Sequence, residues 1–366
     1  MMFIYQNVGW PKFTWDNDRL LSTLSSVRNL QGRIIGKMEA IGFNLRNEAV
    51  LETLTLDVIK STEIEGEILN PDQVRSSVAK RLGMDIGALD NSDRNIDGIV
   101  DLILDATRNC NKPISSDRLF SWHAALFPTG RSGLYEITVG AWRIDSTGPM
   151  QVVSGAMGME KVHYQAPDSS VISTEMTQFM DWFNSKTDLE PVLKAAIAHL
   201  WFVTLHPFED GNGRIGRALT DLLLARADGS TQRFYSMSSQ IRKERKYYYD
   251  ILESTQKGTL DITNWLFWFL GCLMDALISS DTILAKVLFK ASFWEKHSTN
   301  ILNERQRLMI NKMLDGFEGK LTSSKWAKIA KCSQDTAVRD IQDLMIKKIL
   351  RKEASGGRST NYELIE

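Results

Sequence analysis

Cysteine is scarce in this sequence, and the three that occur, Cys110, Cys272 and Cys332, lie far apart. Their odd number and the lack of metal-ligand spacing exclude a disulfide framework and a zinc site. A reducing compartment suits such a chain best, so we expect a cytoplasmic protein.

Long apolar runs and an excess of one sign of charge are also missing. The most apolar run, residues 265–274, has about half the length that a membrane-spanning helix needs. No basic stretch followed by an apolar one opens the sequence, so we expect neither a leader nor a membrane anchor. With 43% hydrophobic residues, 24% charged residues and a formal net charge of -1, the composition indicates a globular protein without general attraction to nucleic acids or membranes.

A chain of 366 residues is too long for one compact core. We expect an N-terminal arm with helices over residues 1–95, a central domain over residues 96–290 and a C-terminal module over residues 291–366. Apolar residues recur at helical spacing through most of the chain, which predicts a mainly α fold. The helices predicted for the first two parts cover residues 20–41, 51–66, 96–107, 116–127, 173–186, 191–205, 215–227, 239–255 and 263–290.

Two segments depart from this helical pattern. Residues 135–164 are rich in glycine, valine and tryptophan and alternate in polarity near residue 152, which predicts a small β-hairpin. The C-terminal module has two short helical patterns, residues 323–330 and 334–348, followed by a basic strand-like segment. This order of elements predicts a winged helix-turn-helix.

The densest chemical signal is the segment at residues 206–217, His-Pro-Phe-Glu-Asp-Gly-Asn-Gly-Arg-Ile-Gly-Arg, between two apolar helices. Gly211 and Gly213 allow a backbone in which successive N–H groups converge, and the helix that follows places its positive end at the same point. Arg214 and Arg217 share one face of that helix, so both can bind phosphate oxygens. The segment therefore predicts an anion site.

The same segment contains a proton acceptor and a metal ligand. His206 can take a proton near neutral pH, and the Asp210 carboxylate suits Mg2+, which nucleotide sites hold with one or two carboxylates and the phosphates. Taken singly, a histidine at a helix end and an Asp-Gly-Asn-Gly turn have ordinary structural explanations. A calcium loop beginning at Asp210 fails, because Arg214 would be a ligand and Ile215 would replace the glycine.

This segment resembles the motif of the Fic family, His-x-Phe-x-Asp/Glu-Gly-Asn-Gly-Arg-x-x-Arg, at every defined position. The matching residues are His206, Phe208, Asp210, Gly211, Asn212, Gly213, Arg214 and Arg217. The resemblance covers most of the chain, including the aromatic N-terminal arm, the hairpin and the C-terminal module. It implies a Fic-type helical bundle with a β-hairpin flap, in an enzyme that transfers AMP from ATP to a Ser, Thr or Tyr hydroxyl of a target protein and releases pyrophosphate.

The resemblance also implies roles for individual residues of the motif. His206 would deprotonate the target hydroxyl, Asp210 would bind Mg2+, and Asn212 would hold the α-phosphate together with the glycine N–H groups.

The ATP-binding stretch would include Ile215 and Gly216, which lie between the two arginines of the motif. A relative that transfers the γ-phosphate has lysine at the position of Gly213. The glycine therefore favours AMP transfer over kinase activity.

A second feature of the family is an inhibitory helix with the pattern Ser/Thr-x-x-x-Glu-Gly/Asn, which Ser61, Glu65 and Gly66 satisfy. By itself so short a pattern is explained equally by an acidic helix end capped by glycine. Beside the main motif it implies that Glu65 pairs with Arg217 and occupies the guanidinium that the γ-phosphate of ATP needs. We therefore expect a self-inhibited enzyme whose resting activity is weak.

Two further regions match parts of the family that surround the nucleotide. One matches the part of the flap that borders ATP and pairs with a target segment by strand addition, and the other matches the region that encloses adenine and ribose. The residues are Val152, Val153, Ser154 and Gly155 in the flap, and Tyr248, Tyr249 and Gln256 on a later helix. An ordinary hairpin and ordinary core tyrosines would explain the same residues.

From residue 320 to residue 366 the sequence has ten Lys or Arg against six Asp or Glu, a local net charge of +4 that permits DNA binding. Winged helices also bind proteins, so the sequence leaves DNA binding open. One alternative function is a DNA-binding regulator with a nucleotide-sensing Fic-like domain. Another is the reverse reaction, in which Glu65 positions a water that removes AMP from modified targets.

The partners that the resemblance implies are ATP and a target protein, with Mg2+ as cofactor. Self-modification and a homodimer are both compatible with it. No membrane partner is expected.

Overall fold

The computed structural model describes residues 2–84, 92–145, 148–154, 161–316, 319–353 and 360–365, and over these ranges the predicted mainly α fold is confirmed. A 3-10 helix at Ile4–Gln6 precedes the α-helices. These are α1 Asn17–Ala40, α2 Phe43–Ile64, α3 Pro71–Leu82, α4 Arg94–Arg108, α5 Ser116–Leu126, α6 Ser169–Asn184, α7 Pro191–Leu205, α8 Asn212–Asp228, α9 Met237–Lys243, α10 Arg245–Gln256, α11 Thr263–Lys296, α12 Glu304–Leu314, α13 Ser323–Ile329 and α14 Gln334–Ile346. None of the helices in the described ranges has the length and apolar character that crossing a membrane requires.

Helix α7 lies at the centre of the core, where every residue from 192 to 205 is buried. It packs along α8, and Gly216 brings the two helices close together, because a Cβ at this position would lie 3.0 Å from Val203 Cγ1. The loop at residues 206–211 joins these two helices. Their packing therefore fixes both ends of the motif.

The far end of α8 is held by a buried ionic cluster. Arg233 donates hydrogen bonds to Asp221 at 2.9 Å and to Asp228 at 3.1 Å, and the Tyr235 hydroxyl donates to Asp228 at 2.7 Å. Gln31 of α1 also donates to Asp228 at 2.7 Å. Buried charges are stable only with such partners, so the cluster fixes the axis of α8 and the direction of its first turn.

The predicted hairpin is confirmed as a small flap of two antiparallel strands, β3 Gln151–Ser154 and β4 Lys161–Gln165. A shorter antiparallel pair, β1 Arg131–Ser132 and β2 Tyr135–Glu136, precedes it in the chain. Val152 pairs with Tyr164, whereas Val153 pairs with Val162. His163 is therefore the extra residue of a β-bulge. A bulge changes the direction of a side chain and is common beside active sites.

Residues 282–365 form a second compact unit, so the division falls within α11 and before the expected boundary at residue 291. This unit contains α12, α13 and α14 and a hairpin of β5 Leu350–Lys352 and β6 Tyr362–Leu364. Its core includes Met309, Trp326 and Leu344. Two helices followed by a hairpin are the order of elements in a winged helix, which stays a prediction for this unit.

Candidate active site

His206 follows α7 in a left-handed backbone conformation, with φ of 50°, that turns the chain toward α8. Arg143 braces this turn. Its Nε donates to the His206 carbonyl at 2.8 Å, and its backbone N–H donates to the Pro207 carbonyl at 2.9 Å. Sequence reasoning missed Arg143 because it lies 63 residues from His206 in the chain and belongs to no local motif.

The His206 imidazole is neutral at physiological pH. Burial lowers its pKa to about 4, and the charge of Arg143 acts in the same direction. Nδ1 lies 3.4 Å from the Val203 carbonyl, which can only accept, so Nδ1 carries the proton of the neutral ring. Nε2 then keeps its lone pair and can act as a general base.

The loop after His206 is closed by Asn212. The Asn212 side-chain oxygen accepts a hydrogen bond of 3.0 Å from the Phe208 N–H, and its side-chain nitrogen donates one of 2.8 Å to the Phe208 carbonyl. Gly211, with φ of 82°, provides the left-handed residue that starts α8. The Asn212 side chain thus holds the loop, and its backbone N–H lies in the first turn of α8. The contact of Asn212 with the α-phosphate stays a prediction.

The first turn of α8 faces a cavity of about 780 Å³ that His206, Asn212 and Gly213 help to line. Ile215 donates the first hydrogen bond within the helix, 3.0 Å to the Gly211 carbonyl. The preceding N–H groups have no such partner in the helix and point out of its positive end. This geometry favours an anion in the cavity.

Glu65 places a carboxylate at this helix end. Its Oε1 accepts a 2.7 Å hydrogen bond from Arg217 Nη2, and Ser61 accepts from Arg217 at 2.9 Å through both its hydroxyl and its carbonyl. A Cβ on Gly213 would lie only 2.2 Å from the same Glu65 oxygen. The structure therefore brings together Ser61, Glu65 and Arg217 as expected. Gly66, with φ of 93°, turns the chain after Glu65.

The two arginines of the motif are buried, with 5% exposure for Arg214 and 3% for Arg217. Burial by itself lowers the pKa of the Arg217 guanidinium, but the Glu65 carboxylate outweighs this effect and raises it. Among the described residues, Arg214 Nε and Arg217 Nη1 find no hydrogen-bond acceptor. Buried donors without acceptors are costly, and a bound polyanion would satisfy them. Glu67 forms only a 3.6 Å ion pair with Arg214 Nη1.

Asp210 is the carboxylate of the loop that suits a metal ion. Its two oxygens accept hydrogen bonds from the Gly211 N–H, at 2.6 Å, and from the Ser132 hydroxyl. Each oxygen keeps a lone pair for a hard cation. The neighbouring Glu209 instead binds the N–H and hydroxyl of Thr138 at 3.0 and 2.8 Å. The described residues contain no cluster of three metal-ligating side chains, and Asp210 fits a Mg2+ ion whose other ligands are phosphates and water.

Residues of β3 and of α10 line the same cavity, so the structure brings the two regions expected around the nucleotide together. Val152, Val153 and Ser154 form one wall, and Tyr248, Tyr249 and Gln256 belong to another. Tyr248 and Gln256 are almost fully buried, whereas Tyr249 is partly exposed. Tyr249 therefore offers an aromatic face on which the base of a nucleotide can stack.

Three expected residues are not part of the cavity wall as described. Ile215 is fully buried in the core, and Gly216 packs against Val203 of α7. Both positions serve the packing of α8, and their contact with phosphate stays a prediction. Gly155 lies outside the described residues.

A basic group beside the cavity was missed. Its members are Arg242, Lys243, Arg245 and Lys246. Arg245 Nε donates to the Ile64 carbonyl at 2.6 Å, and Arg242 pairs with Glu63 at 3.4 Å. The charge run at residues 242–246 is visible in the sequence, but its contact with the end of α2 arises only in the folded chain.

A buried hydrogen-bond chain supports the wall of the cavity. The Thr220 hydroxyl donates to the Gly216 carbonyl at 2.9 Å, so His199 Nδ1–H donates to Thr220 Oγ1 at 2.9 Å. His199 Nε2 then accepts from the Tyr248 hydroxyl, also at 2.9 Å. Burial lowers the pKa of His199 to about 3, so the whole chain is neutral.

We expect acid to destabilise the protein through His199. Its pKa is about 3 in the folded state and about 6.5 in an unfolded chain, so between these values only the unfolded state binds the proton. Below pH 6.5 the free energy of unfolding should fall by about 1.4 kcal/mol per pH unit for this group, or about 2 kcal/mol from pH 7 to pH 5. Measured by urea unfolding, the His199→Gln variant should lose about 2 kcal/mol less stability between pH 7 and pH 5 than the wild-type protein. Equal losses in both proteins would contradict the assignment.

The helical fold, the flap and the loop between α7 and α8 define a fold of the Fic type. Residues 113–224 match the model of the Fic/DOC family, and residues 3–84 match a domain of unknown function, DUF4172. Residues 113–224 thus contain a segment that is similar to the Fic/DOC family.

Two curated relatives are both called "Protein adenylyltransferase Fic". The one from Drosophila willistoni is 32% identical over 141 residues, which cover 34% of this chain and 27% of the relative. The one from Aedes aegypti is 38% identical over 96 residues, 26% of this chain and 18% of the relative. The matches thus span less than a third of either relative.

The fold is similar to a crystal structure of a Fic family protein from Desulfovibrio desulfuricans G20. The TM-score is 0.53 at 20% sequence identity, over 97% of this chain and 98% of the other. This similarity concerns the fold alone.

Proposed function

We propose that the protein is a self-inhibited adenylyltransferase that transfers AMP from ATP to a hydroxyl side chain of a target protein. The observation that carries this proposal is the Glu65 carboxylate, which lies at the N-terminus of α8 and on Arg217. It occupies the position that favours an anion, in a cavity large enough for a nucleotide. The adenylyltransferase relatives support the same reaction.

In this proposal the acceptor hydroxyl attacks the α-phosphorus of ATP while the bond from that phosphorus to the bridging oxygen breaks, and pyrophosphate leaves. His206 Nε2 takes the hydroxyl proton. The backbone N–H groups of Asn212 and Gly213 hold the oxygens of the α-phosphate. Asp210 would hold Mg2+, which neutralises phosphate charge when bound.

Arg214 and Arg217 supply the remaining contacts to the polyphosphate. Their unsatisfied N–H groups can bind oxygens of the β- and γ-phosphates. As long as Glu65 accepts from Arg217 Nη2, this further donor of Arg217 is unavailable to ATP, and the negative charge of Glu65 opposes the γ-phosphate. The wild-type protein should therefore turn over slowly.

The position of Gly213 favours transfer of AMP rather than of the γ-phosphate. Any side chain at this position would meet Glu65, because even a Cβ would lie 2.2 Å from its Oε1. A glycine also leaves the first turn of α8 open to a close approach by the α-phosphate.

The DNA-binding alternative receives little support from the second unit. Lys347 donates to the Ile301 carbonyl at 2.7 Å and to Asp343 at 2.5 Å, and Arg351 donates to Glu363 at 2.7 Å. These cations already have partners. A DNA backbone would have to compete with them.

Labelled ATP distinguishes AMP transfer from phosphate transfer. With Mg2+, cell extract and the Glu65→Gly variant, we expect protein to retain label from the α-position and pyrophosphate to retain label from the γ-position. Gel autoradiography and chromatography of the released products measure both. Protein labelled only from γ-labelled ATP would indicate a kinase. ATP binding without label on any protein, the enzyme included, would favour a nucleotide sensor.

A further inference from the structure

Helix α2 contacts α8 through a second group of side chains, deeper in the core than Glu65. Asp57 lies eight residues before Glu65 and four before Ser61, so the three side chains share one face of α2. On α8, Asp221 follows Arg217 by four residues and lies on the same face as the guanidinium that Glu65 binds. Asp57 and Asp221 are both buried. The contact of Glu65 with Arg217 is thus continued into the core by two carboxyl groups.

The segment between α8 and α9 joins these two carboxyl groups. Arg233 donates a hydrogen bond of 2.9 Å to Asp221 on α8, and the Ser236 hydroxyl donates one to Asp57 on α2. Arg233 and Ser236 are themselves buried. Ser236 is also the N-cap of α9, which packs against α2. A short buried segment with a partner on each side therefore ties α2 to α8.

Asp57 and Asp221 also form a hydrogen bond with each other. Two carboxyl groups can do so only when one of them carries a proton. Burial and the charge of Asp57 raise the pKa of Asp221 well above its ordinary value, so Asp221 is the donor, and its Oδ1 accepts from Arg233. Asp57 thus accepts two hydrogen bonds, one from α8 and one from the start of α9.

We propose that Asp57 is a positioning residue for the inhibitory glutamate, because its two contacts fix α2 against α8 and keep Glu65 on Arg217. The inference rests on the proposed function. Glu65 is the C-cap of α2, so the direction in which this helix ends decides where the carboxylate lies. At a rise of about 1.5 Å per residue, Asp57 lies about 12 Å before Glu65 along the helix. It is not among the described residues that line the cavity, so it acts through the helix.

The effect on inhibition follows from competition. Glu65 and the γ-phosphate of ATP need the same guanidinium, so every contact that holds α2 in place favours Glu65. Without the carboxyl of Asp57, the last turns of α2 lose two hydrogen bonds and separate from α8 more often. Asp221 keeps Arg233 as its partner in such a variant. The cluster therefore keeps its charge balance, and the protein should still fold.

The test measures initial rates of α-labelled AMP transfer to extract proteins, with Mg2+ and one fixed ATP concentration, for wild type, Asp57→Ala, Glu65→Gly and the double variant. We expect Asp57→Ala to raise the wild-type rate about 2- to 10-fold, the factor for one or two ordinary hydrogen bonds. The same change should leave the rate of Glu65→Gly unaltered, since the carboxylate that Asp57 positions is then gone.

Two variants serve as controls. Asp57→Asn keeps an amide oxygen that accepts from Ser236 and gains an N–H that donates to Asp221, so it should keep the wild-type rate. Asp228→Asn changes a carboxylate that binds the same Arg233 at 3.1 Å but faces Gln31 of α1. It should also keep the wild-type rate, whereas a rise equal to that of Asp57→Ala would indicate general loosening of the cluster and overturn the inference.

Hydrogen exchange of the α2 backbone gives a readout that needs no activity. Amides of residues 55–64 should exchange faster in Asp57→Ala and as in wild type in Asp57→Asn. An equal rise of the rate in the Glu65→Gly background would overturn the inference, as would unchanged rate and exchange in Asp57→Ala. No label on any protein, with Glu65→Gly included, would count against the proposed function, while faster exchange in Asp57→Ala would still support the hold of Asp57 on α2.

Discussion

Glu65→Gly is expected to raise the rate of AMP transfer to extract proteins about 10- to 100-fold. The change removes the carboxylate that accepts from Arg217 at 2.7 Å. Ser61 still holds the guanidinium through two hydrogen bonds of 2.9 Å, so Arg217 stays in place for the γ-phosphate. A hydrogen bond between charged groups contributes about 1.5–3 kcal/mol, which corresponds to the expected factor.

The measurement is the initial rate of α-labelled AMP incorporation at saturating ATP, with Glu63→Gln as the matched control. Glu63 pairs with Lys60 at 2.8 Å and with Arg242 at 3.4 Å, away from Arg217. Its variant should keep the wild-type rate. If Glu65→Gly and wild type transferred AMP at equal rates, the contact with Arg217 would not be inhibitory.

His206→Ala, in the Glu65→Gly background, is expected to reduce transfer to extract proteins about 100- to 10,000-fold, the usual contribution of a positioned general base. Nδ1 carries the ring proton because of the Val203 carbonyl, and Nε2 accepts the proton of the acceptor. Since the carbonyl of residue 206 binds Arg143, alanine can keep the backbone turn. ATP affinity should therefore change little while the rate falls.

The pH dependence gives a second test of the same base. The pKa of His206 is lowered to about 4, so its basic form is fully present at pH 6 to 8 and is lost only as the pH falls through about 4. Titration of His206 should therefore not change the rate of AMP transfer between pH 6 and pH 8. His297→Ala, which changes a histidine of the second unit, should leave rate and profile unchanged. A rate that halves near pH 6.5 would contradict the burial of His206.

Much of the fold followed from local patterns. The apolar run at residues 191–205 predicted α7, and valine-rich alternation predicted the flap, because both depend on neighbouring residues. Helix α3, Pro71–Leu82, was not predicted, since its apolar face is short and interrupted by charges. The predicted helix at 239–255 is divided at Glu244 into α9 and α10, a break without glycine or proline to indicate it.

The candidate site, too, could be predicted from the sequence only in part. The sequence alone placed an anion-binding turn, a histidine and two arginines within twelve residues, because a helix fixes the spacing of its own first turn. It also indicated the pairing of Glu65 with Arg217 through the family motif. The contact of Asn212 with Phe208 was not predicted, because it depends on the closed shape of the loop.

The tertiary structure decided the contacts between distant segments. Arg143 reaches His206 across 63 residues, and His163 reaches Glu253 across 90. Local spacing cannot encode such pairs, because they form only when helices and strands pack and bury one another. The sequence by itself thus determined the chemistry available at the α8 N-terminus, and packing decided that Glu65 occupies it and that His206 is neutral.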